Sequence, residues 1–134
     1  MAEDFKQPHG EWAEVETLEA RLARGERLTL DEETRDLLRR VGEQVALAPE
    51  LVAERLGSLE GAEALVREAR ARIRDGSRAL SAALRQAWRE AEAGKPEEAS
   101  TVLEEFIRTQ PVPWYRELAR RELALVPLRA ARGA

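Results

Sequence analysis

Cysteine is absent from the 134 residues, which excludes a disulfide framework and thiolate metal sites, structural zinc of the usual kinds among them. Aromatic residues make up 4%, and β-branched runs are missing too, so nothing supplies the half-buried strands of a sheet. Histidine occurs once, at His9 between Pro8 and Gly10, with no second ligand type clustered beside it; no metal site is expected. No window approaches ~18 consecutive apolar residues, and Met1 to Gly10 carries Glu3, Asp4 and Lys6 with no apolar run behind them. A soluble, cytoplasmic protein with no membrane partner is the expectation. A Gly-rich phosphate loop and a Glu-x-x-His motif are also missing, and a Ser–His pair would have to use His9, so neither catalysis nor a cofactor is expected.

Ala, Leu, Glu and Arg fill the space left by these absences, and they are good helix formers. The expected class is all-α, in about six helices. The length suits one ordinary domain, with residues 1–10 as a flexible lead, 11–127 as a single helical domain and 128–134 as a flexible basic tail.

Net charge is −4, which argues against attraction of the whole molecule to nucleic acid. The distribution is uneven. Before Ala20 there are six acids against one base, whereas Glu63 to Arg89 holds seven arginines against three acids. An acidic first helix lying against a basic face of a later one is the simplest account. Arginine outnumbers lysine twenty to two, but the excess is spread along the chain and carries no functional weight.

The organising stretch is Leu59 to Ala93. Small or apolar residues recur at Ala62, Val66, Ala69, Ile73, Gly76, Leu80, Ala83, Ala87 and Ala91 in alternating steps of three and four, the seam of one amphipathic helix. At about 1.5 Å per residue it would be roughly 50 Å long and would cross the whole domain. Asp75-Gly76-Ser77 is its weak point, because glycine costs about 1 kcal/mol against alanine and the triplet suits a turn. The apolar register passes through Gly76 without a phase change, so the helix is expected to continue, with Gly76 admitting a close neighbour. The opposite side carries Arg67, Arg70, Arg74 and Arg78, with Arg85 and Arg89 beyond.

Around this helix the sequence predicts shorter ones. Glu11 to Ala23 has a stripe of Trp12, Val15, Leu18 and Leu22 and a left-handed stop at Gly25. A second opens at Thr29, with Glu32 completing a capping box, and ends near Leu47; Leu30, Leu37, Leu38, Val41 and Val45 face inward. A third runs Pro49 to Leu56, after which Ser58 caps the long helix. Gly94 to Ala99 is a turn and helix start leading to Val102, Leu103, Phe106 and Ile107. Pro113 opens a last helix with Tyr115, Ala119, Leu123 and Val126 inward, ended by Pro127. Trp88, beside seam residues Leu84 and Ala91, is expected to be mostly buried.

Three resemblances attach to these segments. Leu51 to Gly57 is similar to the first helix and turn of a helix-turn-helix, but the following helix offers Glu60, Gly61, Ala62 and Glu63, where acids would repel phosphate and where Glu63 occupies an apolar position. Gly94, Ala99, Leu103, Phe106 and Pro111 resemble the second half of a tetratricopeptide repeat, with Glu90 standing where its aromatic would be. The longest likeness joins Gly25-Glu26, Leu37-Leu38-Arg39-Arg40, Arg72 to Ser77, Ala93-Gly94, and Val112-Pro113 with Tyr115-Arg116-Glu117. Over Trp12 to Val126 this order resembles the DUSAM family, bacterial domains that occur as many paralogues. The resemblance implies a helical domain and brings no catalytic residue.

The expected function is therefore a non-catalytic protein-interaction module, regulatory or adaptor in role. Its partner would enter a groove between the long helix and the repeat-like hairpin, met by Arg70, Arg74, Arg78 and Arg85 with Trp114 and Tyr115 as aromatic contacts. The alternative is a DNA-binding regulator using the same arginines or the segment 49–70. Homodimerisation along the alanine-rich seam is compatible with either.

Overall fold

The computed structural model of the protein describes residues 8–133; the expectations for the lead-in before Pro8, and for the His9 side chain, lie outside it. Among the described residues there are six helices and no strand: α1 His9–Ala23, α2 Glu32–Gln44, α3 Pro49–Arg55, α4 Leu59–Glu92, α5 Pro96–Thr109 and α6 Pro113–Gly133. The all-α expectation holds. Contacts gather into two compact units that meet within α4, one up to Arg74 and one from Asp75.

In the first unit, α1 ends where Gly25 takes φ +88° and Glu26 N–H reaches back to the Arg21 carbonyl at 3.0 Å, as its glycine demanded. The start of α2 differs from expectation. Its cap is Asp31, whose carboxylate accepts from Thr34 N–H at 2.8 Å, and Thr29 lies before the helix. The cause is distant in sequence. Glu63 accepts from Leu28 N–H at 2.9 Å and from Arg27 Nε at 2.9 Å, which ties the connecting segment to α4 and delays the first turn. Pro49 opens α3, and Ser58 Oγ accepts from Gly61 N–H at 3.0 Å to cap α4, both as expected. Gly61 allows this tight corner, since a Cβ there would collide with the Arg55 carbonyl. Val15, Leu38, Val41, Val45, Leu65 and Val66 are wholly buried and form this unit's core.

α4 is unbroken over its 34 residues. Of the predicted seam, every member is buried except Ala83, which is half-buried; the surface proposed for homodimerisation is thus consumed within the chain. Gly76 shows why the register could afford a glycine. A Cβ at this position would lie inside contact distance of Cδ2 and Cε2 of the Tyr115 ring. The Arg-Asp-Gly-Ser segment and the Pro-x-Tyr-Arg-Glu segment therefore meet in the core of the second unit.

That unit packs α5 and α6 closely, with Ala87, Ala91, Ala99, Leu103 and Val126 as its buried centre and Leu84, Val102 and Leu123 against it. Alanines let the helices approach, and small-to-large fitting does the rest. Gly94 at φ +78° makes the α4–α5 turn. Gln110 is buried; its Oε1 accepts from Val112 N–H at 3.1 Å, and its carbonyl accepts from Arg116 Nη1 at 2.9 Å. These bonds fix the entry to α6.

The end of α6 corrects the sequence reading. The helix passes through Pro127 and continues to Gly133, so residues 128–133 are helix rather than a loose tail. An interior proline removes one hydrogen bond and costs about 3 kcal/mol. Opposing that, the Arg129 guanidinium lies 4.6 Å from the centroid of the Trp88 ring, and its Nη2 donates to Glu122 Oε1 at 3.2 Å. Trp88 Nε1–H donates to the same oxygen at 2.9 Å. Trp88 is half-buried in this cluster.

Candidate functional site

An α-helix turns about 100° per residue, so Arg67, Arg74, Arg78, Arg85 and Arg89 fall within about 60° of one another on the side of α4 opposite its seam. One pattern meets two environments, although Arg67 in the first unit is also exposed and makes no ion pair or hydrogen bond with another described side chain. In the first unit α1 lies beside the stripe. Glu19 accepts from Arg74 Nη1 at 2.8 and 2.9 Å and from Arg70 Nε at 3.1 Å, while Glu16 stands 3.5 Å from Arg70. Arg72 donates to the Val45 carbonyl at 3.2 Å. Burial opposes the charge of Glu19, but the two guanidiniums outweigh it and hold the carboxyl below its ordinary pKa. The acidic first helix does lie against the basic face.

Arg78, Arg85 and Arg89, in the second unit, are exposed, and none makes an ion pair or hydrogen bond with another described side chain. They form a row of guanidiniums at steps of seven and four. Arg89 adds a third member to the two expected from this half of the helix, and its signal was the four-residue step from Arg85.

The remaining expected site residues separate. Arg70 has only 13% of its side chain exposed and serves to hold α1. Tyr115 is buried against Gly76, so it belongs to the core and offers no contact to a partner. Trp114 is half-buried, with the Arg121 guanidinium 5.6 Å from its ring centroid. A concavity of about 430 Å³ does run between α4 and α5, but Glu90, Glu97 and Glu98 wall it together with Gln86, Thr101 and Val102. The arginine row is not among its lining residues.

Other carboxylates are structural. Glu63, the acid in the helix-turn-helix-like segment, is 7% exposed, and the Arg27 guanidinium with the Leu28 amide lowers its pKa. A carboxylate at that position is buried with its Oε2 accepting from a guanidinium and a backbone amide. Glu11 is likewise lowered, by Arg40 and then Gln44; Gln44 in turn accepts from Trp12 Nε1–H at 2.8 Å, anchoring that tryptophan. Among the described residues no group of three or more His, Asp or Glu is placed to hold a metal ion, and no helix is long and apolar enough to cross a membrane.

Among the described residues the fold is all-α, with a row of exposed guanidiniums on α4. By its sequence the chain belongs to the family described as Protein of unknown function (DUF2379), whose family model matches residues 10–126. No curated protein and no solved structure gives a significant match.

Proposed function

We propose that this protein is a non-catalytic interaction module, regulatory or adaptor in role, and that it docks an acidic protein surface on Arg78, Arg85 and Arg89. The single observation that supports this is the contrast along α4: Arg70 and Arg74 are neutralised by α1, whereas the next three arginines of the same stripe are exposed with no acid against them among the described residues. Guanidinium pairs carboxylates in a bidentate fork and is less strongly hydrated than an ammonium, so a row of them suits an acidic helix or strand. We also assign the chain to the DUSAM domains, with a tetratricopeptide-like hairpin at the end of α4 and in α5. Two of the segments that carry that likeness meet in this chain at Gly76 and Tyr115.

Replacing Arg78, Arg85 and Arg89 together by Glu should leave the helical fold intact, since exposed substitutions stay within about 0.5 kcal/mol, and should abolish recovery of the protein partner that co-purifies from native cells. A partner retained by the folded triple variant would overturn the site. Duplex DNA titrated over a range of salt separates the alternative, a DNA-binding regulator. Three phosphate contacts would give a log–log slope near about −3 that the variant loses; the interaction module gives no such binding.

A further inference from the structure

Two surface features remain, and neither belongs to the arginine row. Leu125 and Leu128, one turn apart on α6, are 40% and 53% exposed, the most exposed large apolar side chains among the described residues. They lie on the side of α6 away from buried Ala119 and Val126 and are flanked by exposed Arg121 and Arg132. In the first unit, α2 and α3 leave an open groove of about 600 Å³, floored by Leu47, Val52 and Leu56 and walled by Ala46, Pro49 and Ala53. Its basic edge residue, Arg39, is engaged by Asp36 at 2.6 Å. The other charged edge is Glu43, and exposed Glu50 and Glu54 follow along α3.

We propose that the groove receives the Leu125–Leu128 pair of a second copy of this chain. Two leucines one turn apart are the form in which an amphipathic helix seats in an apolar groove. The flanks agree in charge: Arg132 stands beside the leucines and Glu43 and Glu50 beside the groove, while Arg121 is held by Glu117 at 3.3 Å and Glu54 by Arg55 at 3.7 Å. Because the leucines and the groove are different patches, the contact is heterologous: each copy uses one patch on each neighbour. The apolar area is small, so association is weak and needs high protein concentration.

Sedimentation of the full chain from low-micromolar to near-millimolar concentration should show a rising weight-average mass. Leu125→Glu with Leu128→Glu removes the inserting pair, and Ala53→Arg fills the groove and opposes Arg121 and Arg132. All three positions are exposed, and circular dichroism checks that helicity is kept; Leu125→Gln with Leu128→Gln repeats the first test without new charge. Each variant alone should stay monomeric. A mixture of the two should form a 1:1 complex that grows no further, because one partner keeps its groove and the other its leucines. A monomeric wild type at all concentrations, self-association of either folded variant, or a mixture that stays monomeric would overturn the proposal. Co-sedimentation of the wild type with anionic vesicles, lost in the leucine variant, would overturn it in favour of a membrane surface.

Discussion

Arg74 and Arg78 stand four residues apart on one face of one helix, yet the first is held by Glu19 and the second faces solvent with no counter-charge among the described residues. Nothing in the α4 sequence separates them. The difference is the neighbour: α1 carries Glu16 and Glu19 past Arg70 and Arg74, and among the described residues no acidic side chain pairs with Arg78, Arg85 or Arg89. The same contrast extends to the cores. The first unit is fixed by polar anchors between distant residues, Glu63 to Leu28 and Arg27 and Trp12 to Gln44. The second is centred on alanines packed closely, with Gly76 against Tyr115. A repeated pattern on a helix therefore does not imply a repeated role.

The contrast can be broken most strongly at Gly76. Gly76→Ala improves helix propensity by about 1 kcal/mol, but the new methyl meets the Tyr115 ring. Overpacking of this kind costs typically ~1–3 kcal/mol, so chemical denaturation should show a net loss of stability. A gain would mean that the ring moves freely.

Acid should sharpen the difference between the units. Glu11, Glu19, Asp31 and Glu63 all have pKa values lowered in the folded first unit; in the second, the lowered group is Glu105, exposed beside Arg108. A lowered folded pKa means that the folded state binds fewer protons. The stabilisation is then present above the unfolded value, about 4.3 for Glu, and is lost as pH falls through the folded values. Amide exchange followed downward from neutral pH should release Val41 and Leu65 before Leu103 and Ala119, and Glu63→Gln should narrow that gap. Simultaneous release would show that the polar anchors do not set the acid stability of the first unit.

Charge reversal compares the two halves of the stripe directly. Arg70→Glu with Arg74→Glu loses three ion pairs, each about 0.2–1 kcal/mol, and sets like charges beside Glu16 and Glu19. A drop of about 1–2 kcal/mol in unfolding free energy is expected. The triple reversal at Arg78, Arg85 and Arg89 should change stability by no more than about 0.5 kcal/mol per substitution. Equal losses per substitution in the two variants would mean that the outer arginines are engaged within the chain.

The smallest effect is local to the end of α2. Ala46 adopts φ +62°, in the left-handed region that favours glycine, while Leu47 N–H bonds the Gly42 carbonyl at 2.9 Å. Ala46→Gly should raise the thermal midpoint slightly, a gain of up to about 1 kcal/mol from relieved backbone strain, reduced by the added freedom of the unfolded chain.

Much of this fold is readable in the residues themselves. Gly25, Pro49, Ser58 and Gly94 mark real boundaries because turn and cap chemistry acts within a few residues, and the α4 seam is buried almost member for member. The acidic start of the chain and the basic middle do pair. What was not readable involved partners far away along the chain. Thr29 and Glu32 formed a good local capping box, and α2 nevertheless begins two residues later, because Glu63 holds Leu28. Tyr115 and Trp114 are adjacent in sequence, yet the first is core and the second half-buried. Pro127 carried a sound local stop signal, overridden by Arg129 on Trp88 and Glu122.

The sequence by itself determined the helical class, the number of helices and the side of α4 that would be buried, since helix periodicity and end chemistry are local properties of a few turns. Only the tertiary structure decided which arginines remain available and where α6 ends. It also decided that an acid at Glu63 could be buried. Each of these depends on a charge or ring supplied from between seven and fifty-five positions away, and no local pattern encodes which distant group arrives.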